Sequence, residues 1–139
     1  MPRIKHIAIA TQDPEATAKF YKDGLGLREA GVVNSVAAEG YYLTDGYINV
    51  AILRFKDDDA ATTEGEARYT GIHHFGFEVD SMDEAEQQIL SAGAIHRPSA
   101  ITTENAQTPH HGNVEVKFVG PDGVTVDLSQ AGWVGTAPD

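Results

Sequence analysis

Apolar and polar residues alternate along several short segments of the chain, and this period of two predicts strands with one buried face. The first such segment surrounds His6, and the corresponding segment of the second half surrounds His74. Turn sequences such as Asp45-Gly46 and Pro121-Asp122-Gly123 separate the later segments. The remaining predicted strands are Leu27–Val33, Val36–Leu43, Tyr47–Phe55, Ala94–Ile101, Val114–Val119 and Val124–Ser129.

After the first strand of each half, the apolar spacing changes to that of an amphipathic helix. Asp13 is typical of a helix N-cap, and Ser81 with Glu84 matches the capping box. The helices are predicted to end near Gly24 and Gly93, because a left-handed cap favours a residue without Cβ. The predicted inward-facing residues are Ala16, Phe20 and Tyr21 in the first helix and Met82, Ala85 and Ile89 in the second.

The two halves form a weak internal repeat. The segment KHIAIATQDPEATAKFYKDGLGL is similar to HHFGFEVDSMDEAEQQILSAGA, and 74 − 6 gives an offset of 68 between His6 and His74. In both halves the predicted helix begins seven residues after the histidine. We therefore predict an α+β chain with the order βαβββ in each half. A generic α+β sandwich with accidental similarity between its halves is the alternative.

The length of 139 residues suits one domain with its own hydrophobic core, which we place at residues 1–139. Module one is predicted at about 3–55 and module two at about 71–130. The segment 56–70 between them is polar and acidic and is predicted to be a linker. The tail spans 131–139.

The amino-acid composition limits the kinds of functional site and partner that the chain can have. The chain has no cysteine, which excludes disulfides, thiolate metal sites and cysteine nucleophiles. Any metal must then be held by His, Asp, Glu or Asn. The 21 acidic against 10 basic residues give a net charge of −11, which argues against nucleic acid or an anionic membrane as partner. With no apolar run near the ~20 residues of a membrane span and no signal-peptide pattern, we expect a cytoplasmic protein.

Strand alternation places His6 and His74 on faces with small or polar neighbours, and Asp127 has a similar position on the last predicted strand. If the strands of both halves curl around one cavity, these three side chains converge there. Taken singly, each is better explained as a hydrogen-bonded, solvated or capping residue than as a metal ligand. The equivalent repeat positions of the two histidines favour a shared metal site.

Four short segments carry a family resemblance: HIAIA from His6, GLGL from Gly24, GIHHFGFEVD from Gly71 and PDGVTVDL from Pro121. In this order they resemble the vicinal oxygen chelate superfamily. That superfamily includes glyoxalase I, methylmalonyl-CoA epimerase, bleomycin- and fosfomycin-resistance proteins and extradiol dioxygenases. The GIHHFGFEVD segment is similar to the corresponding strand of the epimerase. The resemblance runs from Lys5 to about Gln130.

The resemblance implies two βαβββ modules that form a curved mixed sheet around a central cavity, and a homodimer. It implies a divalent ion (Fe, Mn, Zn, Ni or Co) held by His6, His74 and Asp127. Asp127 stands where the family usually has glutamate. At the fourth family position, which is glutamate in glyoxalase I and glutamine in the epimerase, this chain has Ala51. Asn49, two residues earlier on the same face, is the alternative fourth ligand.

Without that fourth glutamate, a proton-transfer group has to come from another position. Glu78 and Glu115 are the candidates whose faces are compatible, and His110 in the polar loop Thr102–Gly112 is a third. We predict this loop to be an active-site lid, while for His110 and His111 themselves a solvated loop pair is the more common arrangement. Trp133 either closes one end of the pocket or packs elsewhere. The residues expected to bind substrate are Ala51, His111 and Lys117.

These residues lead to a functional hypothesis. We expect a divalent-metal-dependent enzyme that chelates a small oxygenated substrate through two oxygens, with lyase- or isomerase-like chemistry related to glyoxalase. Two alternatives stay open. The same donors match the two-His one-carboxylate site of non-haem iron(II) dioxygenases. A ligand-binding or drug-resistance protein without catalysis would use the cavity alone.

Overall fold

The structure is a computed structural model that describes residues 1–56, 68–97 and 115–137. The predicted lid loop Thr102–Gly112 and most of the predicted linker lie outside these residues. Module one consists of β1 (Arg3–Ala10), α1 (Pro14–Leu25), β2 (Arg28–Asn34), β3 (Ala38–Thr44) and β4 (Asn49–Phe55). Module two consists of β5 (Gly71–Glu78), α2 (Met82–Ser91), β6 (Ile95–Arg97), β7 (Val116–Val119) and β8 (Thr125–Ser129), with a 3₁₀ turn at Pro121–Gly123. The predicted α+β class and the βαβββ order are confirmed.

The eight strands of the described residues join one mixed, curved sheet with the order β2-β3-β4-β1-β5-β8-β7-β6. Within each module the first and last strands pair in parallel, as β1 with β4 and β5 with β8. The two modules meet where β1 and β5 run antiparallel in the centre of the sheet. The strands that carry both repeat-related histidines are therefore neighbours.

The central strand pair has a pseudo-twofold relation. His6 on β1 lies opposite Gly76 on β5, and Ala8 lies opposite His74. Adding the repeat offset of 68 to one pair gives the other, since 6 + 68 is 74 and 8 + 68 is 76. The two histidines are thus diagonal neighbours on the same face of the sheet.

Local capping explains why the helices begin where they do. The Asp13 carboxylate accepts a hydrogen bond from the Ala16 N–H at 3.1 Å, and the Ser81 hydroxyl accepts one from the Glu84 N–H at 3.3 Å. Both N-caps match the sequence prediction. The first helix ends at Leu25, and Gly26, whose φ is 73°, forms its cap. This left-handed cap lies two residues beyond Gly24, near the predicted end of the helix.

The predicted inward stripe of α1 is wrong in part. Ala16 is exposed and Phe20 is 65% exposed, whereas Ala18 is buried and Tyr21 packs beside it against Leu43. Compared with the predicted inward face, α1 is rotated about its axis so that Ala18 faces the sheet, because this small residue allows close approach. In α2 the prediction is confirmed, since the core packs against Met82, Ala85 and Ile89. Neither α1 nor α2 has the length and apolar content needed to cross a membrane.

Candidate metal centre

Three buried side chains converge from the three adjacent central strands β1, β5 and β8. His6 Nε2 lies 3.1 Å from His74 Nε2, and His74 Nε2 lies 3.2 Å from Asp127 Oδ2. One ligand atom from each residue lies within 4.8 Å of the other two. The sheet therefore brings together the two histidines and the aspartate expected from the sequence.

The geometry of this cluster fits a divalent metal ion. Metal–nitrogen and metal–oxygen bonds of about 2.0–2.2 Å place ligands at right angles about 3 Å apart, close to the observed spacing. Asp127 Oδ1 is buried and has no hydrogen-bond partner among the described residues. A buried carboxylate oxygen without a partner is costly, so it is expected to have a cation or water ligand. Two imidazoles and a carboxylate are donors that first-row transition metals accept.

Asn49 fixes the orientation and tautomer of His6. The Asn49 side-chain N–H donates to the Val134 carbonyl at 2.9 Å, so its oxygen faces His6 Nδ1 at 2.8 Å. Because an amide oxygen only accepts, Nδ1 carries the proton and Nε2 keeps its lone pair toward the cluster. Burial and the neighbouring His74 lower the pKa of His6 to about 3. The imidazole is neutral, as a metal ligand must be.

His73 contacts His74 on the side away from the cluster, much as Asn49 contacts His6. The Nδ1 atoms of these two residues lie 2.7 Å apart, so one donates to the other. The His73 ring also contacts Phe55, with 4.9 Å between the ring centres. Burial, followed by the nearby His74, lowers the pKa of His73 to about 3. His73 therefore supports His74 without itself joining the cluster.

Lys117 is a buried counter-charge for the aspartate. Its ammonium donates to Asp127 Oδ2 at 2.7 Å, and both side chains are almost fully shielded from solvent. Burial alone would raise the pKa of Asp127, but the positive charge of Lys117, followed by the contact with His74, holds it well below its usual range. Asp127 is therefore ionised and ready to bind a cation.

Glu115 is the second carboxylate near this cluster. One of its oxygens accepts a hydrogen bond from the Trp133 indole N–H, and the other lies 3.9 Å from the Lys117 ammonium. Burial and the negative charge of Asp127 raise the pKa of Glu115 to about 7. At neutral pH this side chain can both accept and release a proton.

The cluster borders a small cavity of about 70 Å³. Glu115 and Lys117 line its polar side next to the two histidines, and Tyr42 lies among the lining residues. Burial and nearby Glu115 raise the pKa of the Tyr42 phenol, which therefore stays protonated at neutral pH. The apolar lining includes Val33, Ala38, Ala51, Leu53 and Phe55.

A family model described as Glyoxalase/Bleomycin resistance protein/Dioxygenase superfamily matches residues 3–128 of the chain. The chain belongs to this superfamily. A curated relative, the uncharacterized protein YwkD of Bacillus subtilis, is 31% identical over 132 residues. That match covers 90% of this chain and 94% of the relative. The predicted family is confirmed.

Solved structures share the fold of the superfamily at low identity. A hypothetical protein from Bacillus halodurans is 20% identical, with a TM-score of 0.69 and coverage of 92% of this chain and 93% of its own. A variant of Streptomyces coelicolor methylmalonyl-CoA epimerase, in complex with 2-nitronate-propionyl-CoA, is 21% identical, with a TM-score of 0.68 and coverage of 91% and 95%. The epimerase from Mycobacterium tuberculosis is 18% identical, with a TM-score of 0.68 and coverage of 91% and 85%.

Strand register places Ala51 at the position in module one that corresponds to Asp127 in module two. In module two, Asp127 lies opposite Gly76, and in module one Ala51 lies opposite Ala8. Gly76 and Ala8 are repeat-related, so Ala51 is the counterpart of Asp127. Ala51 is 1% exposed and faces the cavity, so a methyl group replaces a potential donor.

Among the other predicted site residues, Asn49 and Glu78 are not placed as possible ligands or cavity-lining groups. Asn49 contacts His6 from behind, and its two polar ends are already bonded, which does not favour it as a fourth ligand. Glu78 is absent from the described cavity lining and lies 3.8 Å from Arg3. His110 and His111 lie outside the described residues.

The sequence did not reveal the supporting roles of Asn49 and His73. Asn49 was singled out only as an alternative ligand, because its partner His6 lies on a strand 43 residues earlier. The ring orientation of His73 depends on Phe55, which is also distant in the chain. The one available signal for His73 was its position directly before a predicted ligand.

Proposed function

We propose that this superfamily member is a divalent-metal-dependent enzyme that binds a small oxygenated substrate through two oxygen atoms and catalyses lyase- or isomerase-like proton transfer. The convergence of His6 Nε2, His74 Nε2 and a partly unsatisfied Asp127 carboxylate carries this proposal. The ion would be held by these three side chains and would supply Lewis-acid polarisation of a substrate carbonyl.

The charges of the site favour an anionic oxygen ligand. Two neutral imidazoles and one carboxylate leave a net charge of about +1 around a divalent ion. Lys117 and an ionised Glu115 cancel each other, so this balance stays the same. Ala51 contributes no donor on the side of module one, which leaves room for substrate oxygens.

Glu115 is our choice for the proton-transfer residue. It lines the same cavity as the histidines, and contacts from Trp133 and Lys117 orient its two oxygens. Burial raises its pKa to about 7, so both protonation states are available at neutral pH. Lys117 has a different role, since it holds Asp127 in place and ionised.

The structural relatives support an isomerase-like reaction next to a carbonyl group. One solved relative is a methylmalonyl-CoA epimerase in complex with methylmalonyl-CoA and NH₄⁺, with a TM-score of 0.61. By this comparison, we propose that the substrate presents a carbonyl beside an exchangeable C–H bond. The cavity of about 70 Å³ has room for this reacting end of a molecule.

An iron(II) dioxygenase is the second candidate, and the donor set favours it specifically. Two histidines and one carboxylate with open positions are the ligands of many non-haem iron oxygenases. This reading predicts substrate-dependent oxygen consumption under reducing conditions. The proton-transfer reading predicts turnover without oxygen.

Elemental analysis of untagged protein, purified without oxygen and without chelators, tests the metal site. We expect close to one divalent ion per chain in the wild type, and loss of that ion in His74→Ala. The matched control is His96→Ala, because His96 is exposed on the edge strand β6. It should keep the full metal content.

Protein that carries no metal and takes up none on titration would contradict the proposal. The identity of the bound ion then separates the two enzyme readings, since iron points to oxygen chemistry. If calorimetry shows tight binding of an intact compound that His6→Ala does not weaken, the non-catalytic binder is favoured instead. The cytoplasmic location and the homodimer stay predictions.

A further inference from the structure

Trp133 lies directly against the metal cluster. It is the only tryptophan of the chain and is 4% exposed. Its indole ring stacks on the His6 imidazole, with 4.8 Å between ring centres and 3° between planes. Its N–H donates to the Glu115 carboxylate. One side chain thus contacts both a predicted ligand and the proposed proton-transfer residue.

The segment 131–137, which we call the C-terminal strap, is bonded to the sheet through its backbone carbonyls. Asn49 Nδ2 donates to Val134 O at 2.9 Å, and Thr44 Oγ1 donates to Gly135 O at 2.8 Å. Lys5, which is fully buried, donates from Nζ to Ala137 O at 2.8 Å. Because these donors lie on three different strands, the strap cannot shift without breaking buried hydrogen bonds.

The sheet also leaves space for the indole ring. A Cβ atom at Gly76 would lie 2.7 Å from two ring carbons of Trp133 and 3.2 Å from the His6 Cβ. Glycine is therefore required on β5 opposite His6 for the ring to reach its position. The fit of this ring into the sheet is specific.

We infer that Trp133 is a positioning residue, which fixes the plane of the His6 ring and orients the Glu115 carboxylate. The stack restricts rotation of the imidazole about its side-chain torsions, so Nε2 stays directed at the cluster. The indole N–H binds one oxygen of Glu115 and leaves the other toward Lys117. This inference rests on the proposed function, because it assigns a purpose to the proposed ligand set.

The first test uses Co²⁺ as the probe and wild-type protein stripped of metal. Bound Co²⁺ quenches indole fluorescence at short range, and this chain has a single indole. We expect quenching that saturates at one ion per chain and is abolished in His6→Ala. Stoichiometric Co²⁺ binding by calorimetry with unchanged fluorescence would overturn the stacked arrangement.

The second test compares two variants of Trp133 by calorimetry with Co²⁺. Trp133→Phe keeps an aromatic ring on His6, whereas Trp133→Leu does not. We expect an affinity within about threefold of wild type for Trp133→Phe and a loss of at least about tenfold for Trp133→Leu. Equal affinities of the wild type and Trp133→Leu would overturn the inference. Circular dichroism establishes that each variant is folded.

The third test needs no change at Trp133, so it holds even if Trp133→Leu does not fold. ¹⁵N-labelled protein has one indole N–H resonance, which we expect downfield and protected from exchange. Glu115→Gln should move this resonance upfield. The matched control Glu84→Gln, on the exposed side of α2, should leave it in place. An indole resonance that is insensitive to Glu115→Gln would contradict the contact.

The outcomes separate this inference from the proposed function. If wild-type protein binds no Co²⁺, the metal-dependent function fails, and the indole resonance still decides whether Trp133 orients Glu115. If wild-type protein binds Co²⁺ but neither fluorescence nor Trp133→Leu responds, the function stands and the positioning role is wrong.

Discussion

At the residue scale, the site depends on buried charges that are matched to one another. Lys117 and Asp127 form an ion pair away from solvent, next to His6 and His74. Desolvation makes each charge costly alone, and their attraction offsets this cost only while both are present. A metal ion would be a second counter-charge for the same carboxylate. Stability and metal binding are therefore coupled at Asp127.

Lys117→Met tests this coupling. Without metal, the variant leaves a buried carboxylate unpaired, and we expect its free energy of unfolding to fall by about 3–5 kcal/mol. With saturating Co²⁺ the loss should be smaller, because the ion replaces the missing charge. Urea unfolding with EDTA and with Co²⁺ measures both values.

The control for this experiment is Lys19→Met. Lys19 forms an exposed ion pair with Asp23 on α1, and exposed pairs contribute little to stability because water and salt screen them. The decrease in the free energy of unfolding of Lys19→Met should be small and independent of Co²⁺. A Lys117→Met protein as stable as wild type in EDTA would show that the buried pair is not needed.

The lowered pKa of His73 predicts a dependence of stability on pH. Between pH 6.5 and about 3 the unfolded chain gains a proton at His73, while the folded chain does not. The unfolded state binds more protons, so the free energy of unfolding falls as the pH falls through this range. His73→Phe keeps an aromatic ring at this position and removes the titratable imidazole.

We therefore expect a shallower decline for His73→Phe than for wild type when urea unfolding is measured between pH 7 and pH 4 without metal. His96→Phe, on the exposed edge strand β6, should keep the wild-type slope. Identical slopes for wild type and His73→Phe would mean that His73 is protonated in the folded protein. The raised pKa of Glu115 changes stability with pH in the opposite direction, and Glu115 is present in all three proteins.

At the element scale, the structure shows which features local sequence can predict. The caps at Asp13 and Ser81 depend on contacts three residues apart, so their pattern was readable. The rotation of α1, which exposes Phe20, depends on how Ala18 approaches the sheet, and the helical pattern alone did not resolve it. Local sequence signals predicted the order of the elements better than they predicted which face of each element is buried.

Strand β5 has one position where an added methyl group is expected to be harmful. Gly76→Ala places a Cβ 2.7 Å from the Trp133 ring, so we expect a loss of about 1–3 kcal/mol in the free energy of unfolding. Gly24→Ala is the matched change on α1, where nothing lies within 4 Å of the added Cβ. This variant should gain up to about 1 kcal/mol from helix propensity. Thermal unfolding that shifts both proteins in the same direction would contradict the expected packing.

At the scale of the whole molecule, the repeat determines where the site forms. The offset between His6 and His74 was visible in the sequence, and the fold makes the two strands neighbours. The pairing of Asn49 with His6, and of Trp133 with the same ring, joins distant parts of the chain. Such contacts depend on strand register and on the path of the C-terminal strap, which no local pattern specifies.

The repeat also predicts how the site could be completed. Ala51 is the counterpart of Asp127, so Ala51→Glu should add a donor and raise the Co²⁺ affinity by at least about tenfold, as measured by calorimetry. In EDTA the same variant should be less stable, because it buries an unpaired carboxylate. Ala51→Gln controls for size without adding charge. Equal affinity in Ala51→Glu and wild type would show that this position does not reach the ion.

The asymmetry between Ala51 and Asp127 has a stereochemical consequence. In the proposed metal centre, the open side would belong to module one, whereas Glu115 lines the cavity from module two. A planar intermediate held between them would have one of its two faces turned toward the carboxyl group. Proton delivery would then occur on that face alone, and the handedness of the product would follow from which of the two modules carries the carboxylate donor.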